Sequence, residues 1–349
     1  MLQPLSWLYR ALACAHRLAW RGGLLEPQRA PVPLLVVGNL VAGGAGKTPT
    51  VIALLPRLRQ LGYTPGVVSR GHGRRGAGVL AVHRNSAAAE VGDEPLLIHL
   101  RSGTPVVVGA DRVAAARALC AAHPQVDLLV ADDGLQHHRL ARDAELWVFD
   151  ERGAGNGLLL PAGPLRQALP RRLPERIAVL YTGGRASTAL PGCIGRRRLA
   201  GVLPLAQWWR GAPPDAEGWQ ALRGRPLLAA AGLARPEPFF AMLEALGLQI
   251  ARLPLAVHHR FDPLPWPSGS EDVVVTEKDA VKLRPDRVGP TRVWVATLDF
   301  EPEPAFDAAL RRLCAALPPS TRRPPDDPGP PPDSPADLPA VQGPAADGP

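Results

Sequence analysis

Val36-Val37-Gly38-Asn39-Leu40-Val41-Ala42-Gly43-Gly44-Ala45-Gly46-Lys47-Thr48 runs from an apolar strand into a glycine-rich turn and closes on Gly-Lys-Thr. Immediately after it, Val51, Leu54, Leu55 and Leu58 recur at helical spacing. Strand, glycine-rich loop and helix in this order make the frame that a phosphate-binding P-loop needs. Glycines let backbone N–H groups turn inward around phosphate oxygens, and the helix N-terminus adds a favourable potential. Gly43, Gly44, Ala45, Gly46, Lys47 and Thr48 are therefore the nucleotide-binding candidates, with Lys47 reaching the β- and γ-phosphates and the Thr48 hydroxyl binding Mg²⁺. The first glycine of the usual pattern is missing, and Val41 stands in its place.

A P-loop needs an acidic partner at the end of a neighbouring strand. Asp127-Leu128-Leu129-Val130-Ala131-Asp132-Asp133 supplies one, an apolar run ending in two carboxylates that can organise Mg²⁺ directly or through water. The competing reading is an Asp-Gly turn into Gly134. Two further segments are too polar to be plain connectors. Ser69-Arg70-Gly71-His72-Gly73-Arg74-Arg75 combines cationic side chains with a pliable backbone suited to an anionic group, or is a solvated basic loop. Gly92-Asp93-Glu94-Pro95 opens a helical stretch, where Asp93 or Glu94 could serve only as an N-terminal cap.

The remaining chain fits an α/β protein. Val32 to Val37, Gly66 to Ser69, Pro105 to Gly109, Asp127 to Ala131 and Glu145 to Phe149 read as buried strands, with helices over Thr50 to Leu61 and Asp111 to Ala122 between them. That alternation predicts a P-loop NTPase-like parallel sheet flanked by helices. After residue 170 the pattern restarts with strands at Ile177 to Tyr181, Pro226 to Ala231, Asp272 to Thr276 and Arg292 to Ala296, and a helix carrying Phe239, Met242, Leu243 and Leu246. These form a second, smaller α/β unit. The expected division is an N-terminal helix within 1–28, a P-loop unit at 29–170, the smaller unit at 171–317 and a tail at 318–349. The tail holds twelve prolines and almost no large apolar residue, so it cannot bury enough surface to become ordered.

Composition narrows the partners. The 349 residues carry a formal charge of +8, almost all from arginine, because Lys47, Lys278 and Lys282 are the only lysines. Excess positive charge favours anionic partners. No aromatic-interleaved basic motif supports nucleic acid, and no obligate protein partner is expected. The four cysteines form no CxxC pair, which argues against a zinc site or disulfide framework. No run of eighteen apolar residues is present, so no ordinary transmembrane helix is expected. Residues 4 to 21 instead place Leu5, Leu8, Leu12, Ala15 and Ala19 on one side and Arg10, Arg17 and Arg21 on the other, with Trp7, Tyr9 and Trp20 on the flanks. This suits a helix lying in an anionic membrane surface, or one packed on its own domain.

Taken in order, the motifs resemble those of the tetraacyldisaccharide 4′-kinase family, the lipid A 4′-kinases of Gram-negative bacteria. The similarity is carried by Gly38-Asn39 through Gly46-Lys47-Thr48-Pro49, Ser69-Arg70-Gly71, Gly92-Asp93-Glu94-Pro95, Ala110-Asp111-Arg112 and Asp132-Asp133-Gly134-Leu135-Gln136-His137. It continues through Gly155-Asn156-Gly157, Leu160-Pro161-Ala162-Gly163-Pro164-Leu165-Arg166 and Thr276-Glu277-Lys278-Asp279-Ala280-Val281-Lys282. One P-loop alone would be weak evidence; this ordered series from 38 to 282 is specific.

The resemblance implies transfer of the ATP γ-phosphate, with Mg²⁺, to the 4′-hydroxyl of a tetraacylated glucosamine disaccharide 1-phosphate, giving lipid IVA. It implies Asp93 as the base at the sugar hydroxyl and His258 as its histidine partner. Thr48, Asp132 and Asp133 become the metal residues, and Arg70, Arg112 and Arg166 the residues that meet phosphate or the charged disaccharide. Work at the cytoplasmic face of the bacterial inner membrane, peripheral or monotopic, is implied as well. Three positions depart from the family pattern: His72 stands where Tyr is usual, Gln167 where Glu is usual, and Val257 where Asp is usual, which leaves His259 as an alternative to His258. A cytosolic GTPase-type assembly factor would share the P-loop and the aspartates. Thr276-Glu277-Lys278-Asp279 superficially resembles a guanine-reading motif.

Overall fold

The computed structural model describes residues 2–318, so the proline-rich segment beyond Pro318 lies outside the described residues. Helix α1 (Gln3–Arg21) precedes β1 (Leu34–Gly38), α2 (Lys47–Gln60), β2 (Pro65–Ser69), β3 (Leu80–Ala81), α3 (Ala88–Val91) and α4 (Asp93–Ser102). β4 (Val106–Val108), α5 (Arg112–Ala122), β5 (Leu128–Asp132) and β6 (Ala144–Phe149) follow. The chain continues through β7 (Ile177–Tyr181), β8 (Cys193–Pro204), α6 (Leu205–Trp209), α7 (Gly218–Leu222), β9 (Leu227–Ala231) and α8 (Glu237–Ala245). It ends with β10 (Ile250–Pro254), β11 (Asp272–Thr276), α9 (Glu277–Ala280), β12 (Arg292–Pro302) and α10 (Ala305–Ala315).

All twelve strands join one sheet in the order β10-β9-β11-β12-β8-β7-β6-β1-β5-β2-β4-β3. Every pairing is parallel except β3 with β4 and β12 with β8. β1 lies between β5 and β6, and its two faces feed different cores. Leu35 and Val37 pack beneath Val51, Leu54 and Leu58 of α2. Leu34 and Val36 pack with Val113, Ala116 and Leu119 of α5. A strand buried on both faces must be apolar throughout, which is why this run shows no alternation. Each of these side chains contributes roughly 1.5–3 kcal/mol on burial, so the sheet fixes the P-loop at its carboxyl edge. A third core unites Phe239, Phe240 and Leu243 of α8 with Trp219 and Val274.

Two features differ from the expected organisation. β7, expected at the start of the second unit, pairs in parallel with β6 and extends the P-loop half of the sheet. β8 was not anticipated at all. It pairs briefly in parallel with β7, at Cys193 and Ile194, then runs antiparallel to β12 over Gly195 to Pro204, so the sheet continues unbroken from one half to the other.

Helix α1 also differs from expectation in how its aromatics are used. Leu5, Trp7, Leu8, Leu12 and Leu18 are exposed, as expected for a free apolar stripe. Tyr9 and Trp20, however, face the protein rather than flanking that stripe: the Tyr9 hydroxyl donates to Arg166 O at 2.9 Å, and the Trp20 ring lies 6.4 Å from that of His138. Among the described residues no helix is long and apolar enough to cross a membrane.

Candidate active site

The P-loop is shaped by one buried amide and by two glycines of positive φ, Gly43 and Gly46. Asn39 is fully buried, and its Nδ2 donates to Val41 O at 2.7 Å and Gly43 O at 2.8 Å. This bracing occupies the turn where the first glycine of the common pattern is absent. Gly46 precedes α2 at φ 85°, a conformation that L side chains avoid. Lys47 and Thr48 then open the helix. Lys47 Nζ donates to Asn39 Oδ1 at 3.0 Å and lies 3.4 Å from Asp133 Oδ1.

β5 delivers the two aspartates to the same edge. Asp132 ends the strand in register with Val37 of β1, and Asp133 follows in the left-handed region at φ 52°. Asp132 Oδ1 is buried without a hydrogen-bond partner among the described residues. Burial, with the negative charges of Glu94 and Asp133, pushes its carboxyl up to about 7, against the pull of Lys47 and Arg112. An orphaned carboxylate oxygen at the end of the strand that neighbours the P-loop strand fits Mg²⁺, which typically takes one or two carboxylates and leaves its other positions to water and phosphate.

Two of the three cationic candidates, Arg112 and Arg166, meet at Asp133, and the third, Arg70, lies near Arg112. Asp111 caps α5 by accepting from Val113 N and Ala114 N, which sets Arg112 as the first helical residue beneath the β5 end. Arg112 is buried, its Nη2 donates to Asp133 O at 3.1 Å, and its Nε has no hydrogen-bond partner among the described residues. Burial lowers its pKa, offset in part by Asp132 and Asp133, and the charge of nearby Arg70 lowers it further. Arg166 Nη1 lies 3.9 Å from Asp133 Oδ1. His137, in the same loop as the aspartates, is held down to about 4 by burial and by Arg112, so it is neutral.

Asp93 lies at the first turn of α4, across from these groups. Gly92 enters the helix at φ 94°, and a Cβ there would fall 3.1 Å from Gly71 Cα. The Ser69-Arg70-Gly71 and Gly92-Asp93 motifs are thus pressed backbone to backbone. Asp93 is buried, and its Oδ2 lies 3.0 Å from His258 Nδ1. The pairing separates the two adjacent histidines. His258 turns back at φ 61° to meet Asp93, and its ring sits 5.5 Å from that of His72. His259 instead accepts the Phe261 N–H at Nδ1 and packs on the Phe261 ring. The structure therefore brings Asp93 and His258 together and leaves His259 in a local turn.

Several residues at the site were not singled out from the sequence. Glu94 accepts from Lys278 Nζ at 2.6 Å, and the same Nζ lies 4.0 Å from Asp93 Oδ2. Burial disfavours the Lys278 charge, but Glu94 and Asp93 outweigh it and raise the pKa. The scarcity of lysine was the available signal. Arg152 Nη2 donates to Gly44 O at 2.7 Å, and Thr182 Oγ1 donates to Ala45 O at 3.0 Å. Arg197 of β8 donates to Thr182 Oγ1, and a Cβ on Gly46 would fall 2.5 Å from its Nη2. No local pattern marked these three, because strands distant in sequence deliver them.

The guanine-reading alternative fails on geometry. Asp279 is fully buried and accepts from Thr276 Oγ1, Gly232 N and Lys282 Nζ at 2.7 to 2.9 Å. Glu277 is consumed by Arg101, Trp208 Nε1 and Leu298 N. The Thr276-to-Asp279 stretch is a buried helix cap that exposes only Lys278 toward the site.

Residues 1–315 match the family described as Tetraacyldisaccharide-1-P 4′-kinase, LpxK. The chain belongs to this kinase family. It is 56% identical over 323 residues to the tetraacyldisaccharide 4′-kinase of Methylibium petroleiphilum, covering 91% of this chain and 90% of that one. It is 54% identical over 328 residues to the same enzyme of Leptothrix cholodnii, covering 93% and 92%. The structure is similar to that of LpxK from Aquifex aeolicus in complex with ATP, with a TM-score of 0.73 at 25% identity, covering 89% of this chain and 98% of that one. The family expectation and the P-loop kinase fold are thus borne out, and the GTPase-type alternative is not supported.

Proposed function

We propose that this kinase transfers the γ-phosphate of ATP to the 4′-hydroxyl of a tetraacylated glucosamine disaccharide 1-phosphate, with Asp93 as the base. The observation that carries the residue assignment is the buried Asp93 carboxylate, held by His258 at 3.0 Å, with its neighbour Glu94 near enough to Asp132 to raise that carboxyl. The sugar oxygen attacks the γ-phosphorus as its proton passes to Asp93, the bond to the β-phosphate oxygen breaks, and ADP leaves. His258 fixes the carboxylate so that one oxygen faces the acceptor. Backbone N–H groups of Gly43 to Gly46 and the Lys47 ammonium hold the donor phosphates. Thr48, Asp132 and Asp133 would hold Mg²⁺, which supplies charge neutralisation on the phosphates when bound. Arg112 and Arg166 meet the transferring phosphoryl or the acceptor's anionic group, and the exposed Arg70 guides it in.

The P-loop unit at 29–170 supplies donor and metal residues, and the unit at 171–317 supplies His258 and Lys278. Helix 1–28 holds the enzyme at an anionic membrane surface through the exposed face of Leu5, Leu8 and Leu12, at the cytoplasmic face of the inner membrane where ATP is available. Attachment is peripheral or monotopic, and the tail at 318–349 has no part in catalysis. The test is incubation with labelled ATP, Mg²⁺ and the disaccharide 1-phosphate, followed by mass analysis of the lipid. One added phosphoryl group at the 4′ position is the expected result; label released only as inorganic phosphate refutes it.

A further inference from the structure

Helix α1 is fastened to the body by polar hooks rather than by its leucines. Ser6, Tyr9, Ala13, His16 and Trp20 succeed one another by three or four residues and so share one face. The leucine stripe lies roughly 100° round the helix from it. The buried Ser6 Oγ donates to Leu159 O at 2.9 Å, and the Tyr9 hydroxyl donates to Arg166 O at 2.9 Å. Both acceptors belong to one short segment, closed on itself by Leu160 N to Leu165 O and Leu165 N to Leu158 O. The segment's other side is bound to the P-loop, because Ala42 N donates to Pro164 O and Arg166 N donates to Leu40 O.

Arg166 is the point where these connections meet. Its N–H is tied to the P-loop, its C=O to α1, and its guanidinium lies 3.9 Å from Asp133 Oδ1. With both ends of its peptide unit held, the direction of its Cα–Cβ bond is fixed. A second contact runs to the loop after β5, where His138 stacks edge-on against His16 at 5.4 Å. The helix that carries the exposed leucines therefore touches both loops that bear the Asp133–Arg166 pair.

We infer that Tyr9 is a positioning residue for Arg166, so that the seating of α1 sets how the site receives the glycolipid. The inference rests on the reading that Arg166 meets the anionic acceptor or the transferring phosphoryl. A membrane-facing helix hooked to that residue's carbonyl transmits its own placement to the guanidinium. Loss of the hook leaves the P-loop's internal contacts untouched, since Asn39 and Lys47 do not involve α1.

A double-mutant cycle on the full-length protein tests this. Tyr9→Phe, Arg166→Ala and the pair are assayed with tetraacyldisaccharide 1-phosphate in non-ionic mixed micelles at fixed surface concentration, so that recruitment to a membrane is not what is read. Tyr9→Phe should raise KM for the glycolipid by ~5-fold, the factor one side chain–backbone hydrogen bond is worth, with KM for ATP unchanged. In the Arg166→Ala background the same substitution should have no effect, because its target is gone. Ser6→Ala, which frees Leu159, should behave in the same way. An equal factor in both backgrounds, or a shift in KM for ATP, overturns the coupling and makes Tyr9 a simple fastener of the fold. If Arg166→Ala alone leaves KM and kcat for the glycolipid unchanged, the assignment of Arg166 itself fails. That outcome is distinct from the failure of Tyr9 to act through it.

Discussion

Asp132, proposed above as a metal residue, should cost the folded protein stability, and Asp132→Asn should reveal the cost as a function of pH. Burial together with Glu94 and Asp133 raises its pKa from 3.8 to about 7. Between those values the folded state keeps a proton that the unfolded state has lost. Stability from this group is therefore complete below the unfolded pKa, falls as pH rises through the window, and is lost above about 7. At ~1.4 kcal/mol per unit, the whole window is worth roughly 4 kcal/mol as an upper bound, and the part above about pH 5 roughly 3 kcal/mol. For a chain of this size each kcal/mol moves Tm by about 1.5 °C. Asparagine is a neutral isostere and removes the titration. In EDTA, the Tm of the variant relative to the natural chain should therefore grow by about 4–5 °C between about pH 5 and about pH 7, then level off. Scanning fluorimetry across that range reads it directly. Mg²⁺ with ATP at about pH 8 should restore the natural chain far more than the variant, which should transfer no phosphate. A Tm difference that stays constant from about pH 5 to about pH 8 would refute the reasoning, because it would mean that Asp132 is ionised throughout.

Lys47→Ala should lower phosphoryl transfer by ~10²-fold or more while Tm moves by only a degree or two, since Lys47 touches only Asn39 and Asp133; near-normal turnover in the folded variant would remove the P-loop assignment. Asp93→Ala should reduce kcat by ~10²–10⁴-fold with little change in ATP affinity, and His258→Ala should follow it while His259→Ala is milder. Steady-state kinetics with both substrates decide the order, and a stronger effect at His259 would contradict the Asp93–His258 geometry. Leu5, Leu8 and Leu12 replaced together by Ser should weaken binding to anionic vesicles by on the order of 100-fold, with nucleotide binding intact, because each exposed leucine contributes on the order of 1 kcal/mol on insertion. Co-sedimentation measures this without deleting Tyr9, and unchanged binding would assign the membrane contact to another surface.

The P-loop half was legible because its signals are local. Leu34 to Val37 is a continuous apolar run, Gly46-Lys47-Thr48 follows within ten residues, and the α2 periodicity comes next. β8 was not legible, because Arg196, Arg197 and Arg198 interrupt its apolar pattern, and the strand pays no penalty for this in a half-exposed arm paired with β12. β10 escaped for a related reason: as the last strand of the sheet it is mostly exposed, so Ile250 to Pro254 carries little burial signal. At the site, individual residues were readable but their partners were not. His258 and His259 are neighbours in sequence, and only the turn at φ 61° that points one of them at a carboxylate 165 residues away separates them. Glu94, Arg152 and Arg197 are likewise defined by contacts that the topology makes and no spacing announces.

The use of lysine ties these observations together. In a chain that is otherwise cationic through arginine, each of its three lysines sits on a carboxylate: Lys47 at Asp133, Lys278 at Glu94 and Lys282 at Asp279. An ammonium is a compact point charge with rotatable donors, and it fits between crowded groups where a planar guanidinium fork would need a flat, bidentate partner. Lys278 shows the consequence. It reaches from α9 across the cleft to Glu94, and Glu94 is one of the charges that hold the Asp132 proton in place. Lys278 thus ends on Glu94 and Lys47 on Asp133, while Asp132 meets the like charges of Glu94 and Asp133 and is only partly offset by Lys47 and Arg112. Burial first, and then these two carboxylates, push the Asp132 carboxyl up. A divalent cation at the aspartates and a phosphate chain at Lys47 and Arg112 would offset both sets of charges at once. Metal and nucleotide are therefore expected to bind more tightly together than either does alone.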